Sequence, residues 1–125
     1  MLKPLIALIV GGGLGAISRW GLHFLIDSKW APHHSFPWGI LLVNVVGCFL
    51  FGLLFTLFES RAWFSDTLQL AIFTGFLGSF TTFATFGWNT LELFRTGDIT
   101  LAIGNVGANV ILGMVAVWLG FILAR

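Results

Sequence analysis

Hydropathy divides the chain into four long apolar runs, separated by short breaks that hold nearly all the charge. The runs extend from about Pro4 to Ile26, Trp38 to Phe58, Leu68 to Phe94 and Ile99 to Ala124. Each reaches the roughly 20 residues a helix needs to cross bilayer hydrocarbon. The breaks carry Asp27 and Lys29, then Glu59, Arg61 and Asp66, then Arg95 and Asp98. Pro32 and Pro37 mark the first break, and no proline interrupts a run. Most of the six tryptophans fall near run ends, where an amphipathic ring sits at headgroup level. The pattern predicts an all-α integral membrane protein: four transmembrane helices forming one membrane domain over residues 1–125, with no linker or second domain. Cleavage of the first run as a signal peptide is not expected. Lys3 is a thin positive region, the run is long, and three more follow.

Composition narrows the class. The chain is 58% hydrophobic and 9% charged, against roughly 25% charged in a soluble domain, so it could not clothe a water-facing surface. A net charge of +1 provides no basic face for nucleic acid. Cys48 is the single cysteine, which rules out an internal disulfide and a cysteine-built metal site and leaves it a packing role. Four spans put both termini on one side, with Lys3, Arg61 and Arg125. Lys29 and Arg95 lie opposite, and Arg19 sits inside the first span toward that far end. Orientation normally follows a lysine and arginine excess on the cytoplasmic side, and here there is almost none. Either assembly partners fix the topology, or copies insert both ways and pair antiparallel. So small a chain has too little material to enclose a pathway alone, which points to an oligomer.

Polar residues inside the runs are few. In GGGLGAISRW, residues 11 to 20, Gly11 and Gly15 are four apart, as are Gly12 and Ala16, a spacing that lets helices approach closely. Arg19 costs about 2.5 to 3.5 kcal/mol to place in a span. It either snorkels as an anchor or sets positive charge at the mouth of an anion path. Asn44, a third of the way into the second run, is interhelical glue or an amide donor aimed at a passing anion; alone it favours glue. Asn105 and Asn109 share a helical face that Gly113 continues, which fits a watery path and a hydrogen-bonded helix contact equally well. The spans hold no carboxylate except Glu92 near an edge. Proton-coupled transporters keep an acid within the membrane. A small four-span cation exporter would need one in the first span, where none precedes Asp27. No Ser/His/Asp cluster or phosphate loop points to an enzyme. His23 lies in the first run, and the adjacent His33 and His34 make a poor metal site.

The third run contains GFLGSFTTFATFGWN, residues 75 to 89. Gly75 and Gly78 weaken the helix. Thr81 and Thr82 are poor helix formers whose hydroxyls bond backbone carbonyls. A break near residues 78 to 82 is expected, and such backbone is tolerated at membrane depth only when buried in protein or lining a cavity. Freed carbonyls would suit an alkali cation; freed N–H groups and a helix start would suit an anion. In a regular helix Phe80, Phe83 and Phe86 would share one side. They either pack helices or turn their positive ring edges to a small anion.

These blocks resemble the Fluc (CrcB) family of microbial fluoride channels over essentially the whole chain. GGGLGAISRW is similar to the family's glycine-rich first block, FPWGILLVNVVGCFLFG to its second-span block and GFLGSFTTFATF to its third-span block, the most specific of the three. The resemblance implies a passive fluoride channel in the bacterial inner membrane, built as a dual-topology antiparallel homodimer with two pores. It implies a structural Na+ held at the dimer centre by backbone carbonyls, at positions matching Gly78 and Thr81. Pore residues carried over are Asn44, Phe83, Phe86 and Asn109, with Asn105 beside it, and Arg19 at a vestibule. Thr82 and Thr85 complete the set that would replace fluoride's water shell. Ala84, Ile40, Asn89 and Gly113 depart from the family pattern, which usually has serine, threonine, glutamate and serine there. These departures leave open the conduction rate, the symmetric use of both pores, and whether this copy works beside a second, more typical paralogue as a non-transporting half of a heterodimer.

Overall fold

The computed structural model describes residues 1–30, 33 and 35–125, and the regular structure among them is entirely helical. Helix α1 (Leu2–Leu25) runs on through the π-helical stretch Ile26–Trp30. Helix α2 is Trp38–Glu59. Helix α3 is built from Asp66–Gln69, a π-helical Leu70–Leu77 and Gly78–Phe80. After a two-residue interruption come α4 (Phe83–Arg95) and α5 (Ile99–Ala124). The four segments Leu2–Trp30, Trp38–Glu59, Asp66–Arg95 and Ile99–Ala124 are each long and apolar enough to cross a membrane. Of the residues expected in the first loop, Pro32 and His34 lie outside the described residues.

Helix boundaries follow local chemistry more than hydropathy. The first helix outruns the expected end at residue 26 because the charge there is satisfied within the fold. Asp27 Oδ1 accepts the backbone N–H of Gly39 at 3.0 Å, in the first turn of α2, where an anion is favoured. His23 Nδ1 stands 3.1 Å from Asp27 Oδ2, near enough for an ion pair when protonated though not aligned for a hydrogen bond. Helix α3 starts two residues earlier than expected because Ser65 caps it, its Oγ accepting from Leu68 N at 3.2 Å. Helix α4 stops at Gly97, whose φ of 86° is the left-handed conformation glycine adopts without penalty. Asp98 N then closes onto Leu93 O at 2.8 Å.

Two glycine seams hold the helices together. A Cβ on Gly11 or Gly15 would run into the carbonyl oxygens of Ala71 or Phe76, so the first-block spacing seats α1 directly on the backbone of α3. Gly52 and Gly120 do the same between α2 and α5, against the carbonyls of Val117 and Phe49. On α5 the buried stripe is Ala102, Asn105, Gly113, Ala116 and Gly120. Much of the remaining apolar surface faces outward, including Ile9, Ile17, Trp20, Ile111 and Met114, as lipid contact requires.

Candidate functional site

The third span breaks at Thr81 and Thr82, within the expected window. Thr81 (φ −80°, ψ 154°) and Thr82 (φ −149°, ψ 114°) are both extended. Gly78 remains helical, with φ −63° and ψ −33°. Gly75 serves close packing against the α1 backbone at Gly11 and Gly12, and the threonines make the interruption. Thr81 still closes the helix behind it: its N–H and hydroxyl both donate to Leu77 O, at 3.1 and 3.0 Å. Thr82 opens the helix ahead as its N-cap. Its Oγ1 accepts from Thr85 N at 3.2 Å and lies 3.1 Å from the Thr85 hydroxyl.

The interruption redirects two backbone groups. In an unbroken helix Thr82 N–H would donate to Gly78 O; here it donates to Asn44 Oδ1 at 2.9 Å. Thr85 N–H would donate to Thr81 O, and instead it serves the cap. The carbonyls of Gly78, Ser79, Phe80 and Thr81 thus lose their helical partners, and of these four residues Gly78 and Thr81 line the same cavity. Two freed neutral oxygens are the hard donors an alkali cation takes, so the chemistry at these positions fits the Na+ site the resemblance implies.

Asn44 ties helices together and stands on the wall of a cavity. Its amide nitrogen donates to Asn109 Oδ1 at 3.0 Å and to Thr82 O at 3.3 Å. It fastens α2 to the interruption and to α5, which is glue, while lining a cavity of about 370 Å³. That cavity opens among α2, α3, α4 and α5, and gathers Asn44, Gly78, Thr81, Thr82, Phe83, Phe86 and Asn109. Thr85 joins the group through Thr82 and is not on the wall. Arg19 is apart: no α1 residue lines the cavity, and among the described residues no carboxylate lies within ion-pair distance of it.

The phenylalanines do not share one side. Phe80 is 4% exposed, whereas Phe83, just past the break, is 84% exposed. The extended residues swing the chain so that Phe83 parts from Phe80, while Phe83 and Phe86, three apart on α4, lie together with ring centroids 5.4 Å apart and planes at 52°. Asn105 is not on the cavity wall. It is 1% exposed and donates to the Thr90 hydroxyl at 2.9 Å, so the α5 stripe is a helix contact at 105 and reaches the cavity only at 109. Thr90 was not singled out from sequence. The sequence carried no signal for it, because its partner Asn105 lies on another helix. Of the departures, Ala84 is exposed and Ile40 is buried in α2. Asn89 lines a second cavity, of about 390 Å³, with Glu92 and Asp98. Gly113 faces Cys48, whose Sγ would lie 3.4 Å from an added Cβ.

Four bilayer-length helices, one of them interrupted at a hydrogen-bonded polar seam beside a cavity, define a multi-pass membrane protein organised around a discontinuous helix. The chain belongs to the CrcB family, described as "CrcB-like protein, Camphor Resistance (CrcB)", which matches residues 6–121. It is similar to the "Fluoride-specific ion channel FluC" of Dehalococcoides mccartyi strain CBDB1, 42% identical over 116 residues covering 93% of this chain and 88% of that protein. The protein of that name from Parabacteroides distasonis is 43% identical over 121 residues, 94% of this chain and 90% of its own length. The one from Pyrococcus abyssi is 41% identical over 124 residues, 99% and 98% of the two chains. By name these relatives are ion channels, not enzymes. The family read from the three sequence blocks is therefore the right one.

Proposed function

We propose that this chain forms a passive, fluoride-selective channel that lets a bacterial cell release fluoride across its inner membrane down the electrochemical gradient. The observation that carries the reading is the identity of about two residues in five with fluoride-specific channels, end to end. Weak acid HF enters from acidic surroundings and ionises inside, so an anion leak protects the cell. Asn44, Thr82 and Asn109, on the cavity wall, supply amide and hydroxyl groups in place of water, and Thr85 steadies the Thr82 hydroxyl. The ring edges of Phe83 and Phe86 supply weakly positive hydrogens. Arg19 raises the local anion concentration at the mouth.

The working unit is an antiparallel, dual-topology homodimer. Two arguments support it: the near balance of lysine and arginine across the membrane, and the exposure of Phe83, which finds no cover within one chain. The Gly78 and Thr81 carbonyls of the two copies together hold one structural Na+, since two oxygens alone are too few for an alkali cation. The test is a fluoride electrode reading efflux from fluoride-loaded liposomes reconstituted with folded protein. Efflux no faster than from protein-free vesicles ends the proposal. A second reading, a silent partner in a heterodimer, draws on the absent hydroxyls at Ala84, Ile40 and Gly113. Silent homodimers that begin to conduct when mixed with a conducting relative would favour it.

A further inference from the structure

Thr90 and Asn105 are the buried polar residues among those described, at 9% and 1% exposure, and they meet each other between α4 and α5. Their bond could be read as one more interhelical contact. What it joins argues for more.

From α4 the bonds run in one direction. The Thr90 hydroxyl donates its proton to Phe86 O at 2.8 Å, leaving only lone pairs to offer. Asn105 must therefore present its Nδ2, which donates to Thr90 Oγ1 at 2.9 Å. That turns Asn105 Oδ1 toward Asn109, whose Nδ2 donates to it at 3.0 Å and to the Asn105 carbonyl at 2.9 Å. Asn109 Oδ1 then faces α2 and accepts from Asn44 Nδ2 at 3.0 Å. Asn44 Oδ1 is left facing the interruption and accepts Thr82 N–H at 2.9 Å. Both ends of this chain are backbone groups of fixed character: Thr82 N–H can only donate, and Phe86 C=O can only accept. Every amide between them has one permitted orientation. Reversing Asn44 or Asn109 sets N–H against N–H or oxygen against oxygen at both its contacts, and reversing Asn105 does so at Asn109 while forcing the Thr90 hydroxyl to turn away from Phe86 O.

The polarity decides what faces the cavity. Asn44 lines the wall, and the longer of the two bonds its NH2 donates, 3.3 Å to Thr82 O, is the one an incoming anion can displace. With Asn109 turned over, Asn44 would meet an NH2 and be driven to turn as well. An amide oxygen, which repels anions, would then replace the donor, and Thr82 N–H would lose its acceptor.

We propose that Thr90 and Asn105 are positioning residues for the ion path: from outside the cavity they set the amide orientation of Asn109 and, through it, of Asn44. The proposal rests on the channel reading above and deepens it. Hydrogen–deuterium exchange at the Thr82 amide, three side chains away from Thr90, reads the positioning without reference to transport. Fluoride efflux per channel from liposomes reads its consequence. Thr90→Val removes the hydroxyl at constant shape, and Thr90→Ser keeps it. Thr90→Val is expected to speed exchange at Thr82 and slow efflux, each by about three- to thirty-fold, while Thr90→Ser stays with the parent in both. Asn105→Ala, a truncation that a helix contact tolerates, carries the same prediction should Thr90→Val not fold. The proposal is overturned if exchange changes only around residues 90 and 105 with Thr82 unaffected, or if Thr90→Ser behaves as Thr90→Val. A parent protein without efflux would sink the channel reading alone, and the exchange result would still decide the positioning.

Discussion

Replacing Asn44 by leucine is the sharpest test of how the interruption is held. The change keeps size and removes every polar contact: 2.9 Å from Thr82 N–H, 3.0 Å to Asn109 Oδ1 and 3.3 Å to Thr82 O. Side-chain hydrogen bonds between membrane helices average about 0.6 kcal/mol, so the three contribute about 1 to 2 kcal/mol. The orphaned Thr82 N–H weighs more. Its helical acceptor, Gly78 O, is out of register, so it stays unpaired at a further cost of about 1 to 3 kcal/mol. The sum, about 2 to 5 kcal/mol, corresponds to a fall in melting temperature of about 5 to 15 °C. Thermal unfolding of the purified protein in detergent, followed by loss of the size-exclusion peak, measures it. Asn44→Asp separates the contributions. It retains the acceptor for Thr82 N–H but sets an anionic oxygen against Asn109 Oδ1 and Thr82 O. It should conduct no fluoride while melting between leucine and parent at a pH where the acid is neutral. If Asn44→Leu melts with the parent, the interruption is satisfied by something other than Asn44, and the account of the seam is wrong.

Phe83→Ile and Phe86→Ile should each abolish fluoride efflux in the liposome assay without dissolving the dimer in size-exclusion chromatography; normal efflux in both would reduce the rings to packing. Gly15→Val should prevent recovery of folded protein, because its Cβ meets the Phe76 carbonyl, whereas Gly13→Val, with open space around it, should express and elute as the parent does. Replacing Na+ by a bulky organic cation should lower the melting temperature and slow efflux together, since the Gly78 and Thr81 carbonyls would lose their counter-charge. An unchanged melting curve in sodium-free buffer would argue against the ion.

The spans were legible because lipid imposes one requirement along their whole length, and Ile99–Ala124 falls where hydropathy put it. The ends were less so. Asp27 reads as the end of a span, yet Gly39 N–H, twelve residues on, takes up its charge and the helix continues. The interruption was legible from the paired threonines. Its mechanism was not, because it depends on a partner 38 residues away at Asn44. Phe80, Phe83 and Phe86 show the reverse failure. Their even spacing promises one face only while the helix is continuous, and two extended residues cancel it. The three sequence blocks carried the family correctly, since they place the seam glycines Gly11 and Gly15, the amide of Asn44 and the paired threonines Thr81 and Thr82 where the fold uses them. Thr90 stayed hidden because a lone threonine on an amphipathic helix carries no signal until its partner is known.

The interruption also sets an order of events at the ribosome. A continuous helix enters lipid with its peptide groups already paired. The third span does not, since its Thr82 N–H waits for Asn44, which emerges before it, and the Asn44 amide waits for Asn109, which emerges after it. The third crossing is therefore completed only once the last one has been synthesised. A chain stopped short of residue 99 would carry an open polar wound at mid-bilayer, and membrane proteases should clear it faster than a chain stopped after the second crossing.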